Sequence, residues 1–131
     1  MQGANSKSAL GMDGNLTALL GYIIGIIALI LIFIEKDNRF VRFHAIQSVL
    51  WAVVFVVGVF AVVIIGVILG VILGSVNETL GKLVFGLTGL LYFLCFIGFF
   101  GGLIYAAIKA YGGNMVKLPI AGGFAEKFAG N

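Results

Sequence analysis

A chain of 131 residues with 62% hydrophobic and 10% charged side chains departs from soluble domains, which carry roughly 45–50% apolar and about 25% charged residues. So few charges cannot cover a water-facing surface, because folded domains of this length still expose about a third of their unfolded surface. The formal charge of +3 comes from eight scattered Lys and Arg residues. That is a membrane-surface pattern that excludes a nucleic-acid patch, and the length fits one domain.

Three uncharged runs, Leu16–Ile34, Val49–Leu73 and Leu83–Ile108, are separated by charged or turn-forming residues. At about 1.5 Å per residue, roughly 20 residues cross the hydrocarbon layer of about 30 Å. Spans are therefore predicted at 16–34, 46–73 and 83–108, with a cytoplasmic tail over 109–131, all within a single membrane domain of residues 1–131. The expected fold class is all-α: an integral membrane bundle of three transmembrane helices with an amphipathic cytoplasmic loop. The first run is longer than the roughly 7–15 apolar residues of a signal peptide and runs into Glu35-Lys36-Asp37-Asn38-Arg39 without a small-residue cleavage pattern, so it is read as a span.

The segment from Glu35 to Ser48 interleaves charge and aromatics as no other stretch does. As a helix it puts Arg39 and Arg42 on one face and Phe40, Phe43, His44 and Gln47 on another, with Glu35 able to pair with Arg39 at i, i+4. This predicts a helix lying along the inner leaflet, with Lys36, Arg39 and Arg42 contacting anionic lipid or a partner. The plainer alternative is that the arginines simply mark the cytoplasmic side. His44 is the only histidine, and a metal site or catalytic dyad would need ligands or a nucleophile that the sequence does not supply. With Gln47 one turn away, a structural hydrogen-bond role is favoured, and pH sensing is the other reading.

Val and Ile dominate the second run and would favour strands in water, but an unpaired strand in lipid leaves its backbone groups unsatisfied, so the helix prevails. Small residues recur four apart: Thr17, Gly21 and Gly25 in the first run, Gly66, Gly70 and Gly74 in the second, Gly98, Gly102, Ala106 and Ala110 in the third. Such stripes let helix backbones approach closely, which is how helices associate in lipid. They serve either the internal packing of the bundle or a homo-oligomer interface. In the third run Thr88 and Tyr92 form an i, i+4 polar pair expected to find interhelical partners. Cys95 reads as a small buried hydrophobe. No Asp, Glu, Lys, Arg or His lies inside a run, which counts against a coupled transporter.

Past Tyr111, glycines break the helix. Phe124 and Phe128 at helical spacing then predict a short surface-docked helix. Three spans would place Lys36, Arg39, Arg42, Lys109, Lys117 and Lys127 on one side and only Lys7 and Lys82 on the other. The positive-inside rule makes the richer side cytoplasmic. The protein is thus expected as a multi-pass protein of the cell membrane with its N-terminus outside and its C-terminus inside, the Ser75–Gly81 loop external and Asn77 a possible glycan acceptor.

The Glu35–Gln47 block, with Asn15-Leu16 upstream and Lys109-Ala110-Tyr111 and Lys117-Leu118-Pro119-Ile120 downstream, resembles a family of small, uncharacterised bacterial and archaeal membrane proteins. That family is distantly grouped with the membrane-spanning twenty-kilodalton component of the chloroplast inner-envelope import machinery. The resemblance runs from about Asn15 to Lys127, and Arg42-Phe43-His44-Ala45-Ile46-Gln47 is its most specific part. It implies no catalytic residue, and it marks His44 and Gln47 as positions of a family-specific contact. Residues and resemblance together point to a non-catalytic membrane protein without cofactor or metal. It would act by helix packing and a basic cytoplasmic face on the bilayer, anionic lipids, partner membrane proteins or further copies of itself. The alternative is an oligomeric channel or protein-translocation component.

Overall fold

A computed structural model describes residues 3–130; Asn131, at the end of the expected tail, lies outside the described residues. Among the described residues the chain is all-helical: α1 (Gly14–Ile23), α2 (Gly25–Ile34), α3 (Arg39–Val76), α4 (Glu78–Tyr111) and α5 (Ala121–Ala129). Two of these, α3 with 38 residues and α4 with 34, are long and apolar enough to cross a membrane. The chain divides into two compact units, one of residues 1–54 with 101–131 and one of Phe55–Phe100.

The single helix expected over 16–34 is two helices. Ile24 takes an extended conformation (φ −119°, ψ 97°), which suits a β-branched residue, and the chain reverses there. A methyl group on Gly21 would lie 3.8 Å from the Cβ of Ala28 and from Leu31 Cδ1, so α1 and α2 stand side by side as an antiparallel hairpin. At about 1.5 Å per residue each ten-residue arm is roughly 15 Å long. The carbonyls stranded by the early stop of α1 are satisfied: Ile24 N–H donates to Leu20 O at 2.8 Å and Ser48 Oγ donates to Gly21 O at 3.0 Å.

The segment after Glu35 also differs from expectation. Residues from Arg39 onward are the first turns of α3 rather than a separate surface helix, and Phe40, Val41, Phe43, His44, Ala45, Ile46, Gln47 and Ser48 are all buried. They pack in the first unit against α1, α2, the last turns of α4 and α5. One cluster gathers Ala18, Tyr22, Ala28, Leu31, Phe40, Val41, Ala106 and Ala110, and a second joins Phe43 and Ile46 to Ala125 and Ala129. Trp51 lies over Gly102, where a methyl group would meet the indole at 2.7 Å.

The unit Phe55–Phe100 is an antiparallel pair, the distal parts of α3 and α4. The expected loop over Ser75–Gly81 shrinks to one non-helical residue, Asn77, whose Oδ1 accepts from Thr79 N–H at 2.9 Å and Leu80 N–H at 3.2 Å and so caps α4. The glycine stripe makes the reversal possible. A methyl group on Gly81 would stand 2.6 Å from the Gly74 Cα, one on Gly70 would strike the Phe85 ring at 2.7 Å, and one on Gly66 would overlap Thr88. Further along, Phe55 stacks on Phe99 with ring centroids 4.4 Å apart and meets Phe96 edge-on at 4.9 Å. Outward, Phe60, Ile64, Ile68, Val71, Leu87 and Phe93 are exposed, an apolar surface that water does not tolerate over such length.

A polar knot as candidate functional site

The first unit closes around a small set of polar side chains supplied by α1 and α3. His44 and Gln47 lie one helical turn apart on α3, so they share a face, and Tyr22 of α1 reaches both. Tyr22 Oη is 2.7 Å from His44 Nδ1 and accepts from Gln47 Nε2 at 2.7 Å. Both α3 residues also grip the chain after α4. His44 Nε2 lies 3.1 Å from Asn114 O, Gln47 Nε2 donates to Val116 O at 3.0 Å, and Leu118 N–H donates to Gln47 Oε1 at 2.8 Å.

The proton positions follow from what each partner can do. A carbonyl only accepts, so His44 carries its proton on Nε2 for Asn114 O; in the neutral ring Nδ1 then accepts the Tyr22 hydroxyl proton. The Gln47 amide is fixed likewise, its NH2 toward Val116 O and its oxygen toward Leu118 N–H. His44 is enclosed by the edges of Tyr22, Phe40 and Phe43 at centroid distances of 5.5, 4.5 and 5.0 Å. A neutral imidazole with both nitrogens engaged ties α1, α3 and the chain after α4 together. Gly122, at the start of α5, completes the contact: a methyl group there would stand 2.8 Å from Gln47 Oε1 and 2.4 Å from Lys117 Cβ.

A second knot fastens the N-terminal segment to the turn between α2 and α3. Asn38 is fully buried; its Oδ1 accepts from Val41 N–H at 3.2 Å, capping α3, and its Nδ2 donates to Gly3 O at 3.0 Å and Ser6 O at 3.3 Å. Glu35, also buried, accepts from Ala9 N–H at 2.6 Å and Asn38 N–H at 3.0 Å. The expected Glu35–Arg39 pair is therefore replaced by backbone partners. Thr17 O–H donates to Asp13 O at 2.9 Å and takes the Ser8 hydroxyl at 2.7 Å. Asn15 Nδ2 donates to Tyr111 O at 3.0 Å, so the N-terminal segment, the 35–38 turn and the end of α4 lie together. The N-terminus had been expected opposite that turn; the antiparallel α1–α2 hairpin sets the N-terminal segment beside it.

The structure separates the other residues singled out from sequence. Lys36 is exposed on the turn. Arg39 Nε donates to Gly130 O beyond α5, and Arg42 donates to Glu35 O at 3.0 Å and Ile32 O at 3.3 Å. Both guanidiniums thus meet the carbonyl-rich ends of helices, where a cation is favoured. Of the stripe glycines, Gly21, Gly66, Gly70, Gly74 and Gly102 face a neighbouring helix, whereas Gly25 and Gly98 face open space. Thr88 bonds back to Val84 O at 2.8 Å, and Tyr92 is exposed with its ring against Phe96; the pair does not join helices by hydrogen bonds as expected. Cys95 is a half-buried free thiol. Tyr22, Asn38, Glu35 and Gly122 were not anticipated as site residues, although a lone Tyr within an apolar run and an Asn ahead of a helix were the available signals.

The tail forms α5 as expected. Ala121, Gly122, Ala125 and Ala129 face inward, while Phe124 and Phe128 are exposed and stacked with centroids 6.3 Å apart. Lys117 Nζ meets Glu126 Oε2 at 2.6 Å. This hydrogen bond and the lysine's charge hold the Glu126 carboxyl below the usual carboxylate range.

Two long apolar helices joined by a one-residue turn, with polar side chains consumed in structural ties, define a helical membrane protein. The chain belongs to the magnetosome magnetite crystal formation protein family, whose model matches residues 7–125. It is 33% identical to a UPF0132 membrane protein of Methanocaldococcus jannaschii over 94% of both chains. A second protein of that name and organism is 30% identical over 92% of this chain and 73% of its own. One from Archaeoglobus fulgidus is 29% identical over 91% of this chain and 98% of its own. No solved structure matches. The prokaryotic membrane-protein family expected from sequence is thereby established, while kinship with the chloroplast component rests on the sequence resemblance alone.

Proposed function

We propose that this protein is a non-catalytic membrane subunit. The α3–α4 hairpin crosses the bilayer, and the unit tied by Tyr22, His44 and Gln47 presents a basic cytoplasmic platform to partner proteins or anionic lipid. The observation that carries this reading is the surface of the long helices: along Val49–Leu73 only Gly66 and Gly70 are buried, and both lie against α4. Hydrocarbon is the solvent that such a surface requires.

Two spans with a re-entrant α1–α2 also improve the charge asymmetry. Lys7 joins Lys36, Arg39, Arg42, Lys109, Lys117 and Lys127, leaving only Lys82 across the membrane. Both termini are therefore cytoplasmic in this proposal. The family description concerns magnetite crystals, but four of this chain's five carboxylates are already engaged. Asp13 pairs with Lys7, Glu78 with Lys82 and Glu126 with Lys117, and Glu35 is spent on backbone. Scaffolding suits this chain better than direct mineral contact.

Single cysteines at positions 7, 78 and 127, in a Cys95→Ser background, test the topology by reaction with a membrane-impermeant maleimide after alkaline washing of membranes. Retention in the pellet, with 7 and 127 labelled from one side and 78 from the other, is expected. Labelling of 7 and 127 from opposite sides would overturn the two-span arrangement, and release by the wash would overturn the membrane reading itself.

A further inference from the structure

We infer that the α1–α2 hairpin is a shallow insertion into the acyl chains of one leaflet, and that it makes the protein prefer strongly curved membrane with that leaflet on the convex side. This rests on the membrane reading above and adds a partner and a property to it.

The hairpin has the dimensions of half a bilayer: arms of roughly 15 Å against a hydrocarbon core of about 30 Å. Its polar side chains are turned inward, Thr17 and Tyr22 being buried at 0% and 4% exposure. Its outer surface is aliphatic and aromatic, with Ile23 66%, Ile26 69% and Phe33 73% exposed and Ile24, Leu29 and Ile30 exposed beside them. Its base carries the charges, Lys7 with Asp13 on one arm and Glu35, Lys36 and Asp37 on the other. Grease at the tip and ionised groups at the base fix both the direction and the depth of insertion.

One contact and one stretch of surface relate the tip to the long helices. Ser48 bonds Gly21 O near the tip, immediately before the apolar run that begins at Val49, and the exposed Ile104 and Ile108 of α4 carry hydrocarbon-seeking surface up to Lys109. The tip therefore lies within the acyl chains of one leaflet, with the base at its headgroups. A body that adds area to one leaflet at this depth and none to the other is accommodated best where that leaflet is stretched, as with interfacial helices whose binding depends on curvature.

The test uses full-length protein reconstituted in giant vesicles from which a membrane tube is drawn, counting molecules whose termini face outward. Enrichment on the tube over the parent vesicle of at least about twofold is expected, and Ile26→Ser with Phe33→Ser, which leaves the inward contacts of Gly21, Ala28 and Leu31 intact, should remove at least about half of it. A spin label at Ile26→Cys in a Cys95→Ser background should report burial in the hydrocarbon of the leaflet that faces the termini. Equal density on tube and vesicle, or a label at 26 open to water or reached from the far side, would overturn the inference while leaving a bilayer-retained protein. Failure to remain in the bilayer at all would instead sink the membrane reading.

Discussion

Gln47 ties three parts of the chain with one amide. Gln47→Ala would leave Leu118 N–H and Val116 C=O buried without partners, a loss of about 2–4 kcal/mol. Thermal unfolding in detergent measures it, and trypsin should cut sooner after Lys117. Tyr22→Phe, which removes the partner of His44 Nδ1 and of Gln47 Nε2, should cost about 1–3 kcal/mol in the same assay. Strain is stored nearby: Ile120 has φ 65° and ψ −59°, and Ala121 N–H donates to Pro119 O at 2.7 Å, a strained γ-turn around a β-branched residue. Ile120→Gly should therefore stabilise the protein by about 1 kcal/mol. The His44–Gln47 pair was legible in the sequence because i, i+3 spacing fixes a shared face. Its partners were not, because carbonyls some 70 residues away carry no side-chain signature.

At the scale of elements, the glycine stripe was legible and its partner was not. Gly66, Gly70 and Gly74 announce a close approach, and the structure supplies Thr88, Phe85 and Gly81 of the same chain as the surface approached. Gly81→Ala, whose methyl would press on the Gly74 backbone, should destabilise the α3–α4 pair by about 1–3 kcal/mol. Gly98→Ala, facing open space, should be neutral or stabilising by about 0.5–1 kcal/mol. The break at Ile24 was illegible for a physical reason: Gly25 resembles Gly58, which sits inside α3 without interrupting it. The difference is the acceptor side of the break, where Ser48 takes the freed Gly21 carbonyl. For α5, the lowered Glu126 carboxyl sets a sign. Its pairing with Lys117 contributes fully above the ordinary carboxylate range and fades as pH falls through the lowered value. Acidification should loosen α5 in the native protein, read as faster amide exchange over 121–129, and Glu126→Gln should abolish that pH dependence.

For the whole molecule, composition alone pointed to lipid as solvent, and to helix over an unpaired strand in its long apolar runs. The break of the first run into two helices was harder to read, because 19 uncharged residues fit one span and a helical hairpin equally well. Sidedness turns on that difference, since moving Lys7 across the membrane converts a six-to-two distribution of basic residues into seven to one. Orientation should accordingly resist single charge changes, and adding three lysines beside Asn77 should be needed before impermeant labelling shows inverted molecules.

Asn77 alone separates α3 from α4. With no slack at that joint, neither helix can slide or spin without dragging its neighbour. It also leaves a single non-helical residue at that end of the pair. In the two-span arrangement proposed above, that end of the pair offers a regulator little to hold, and the larger surface lies on the side of the termini.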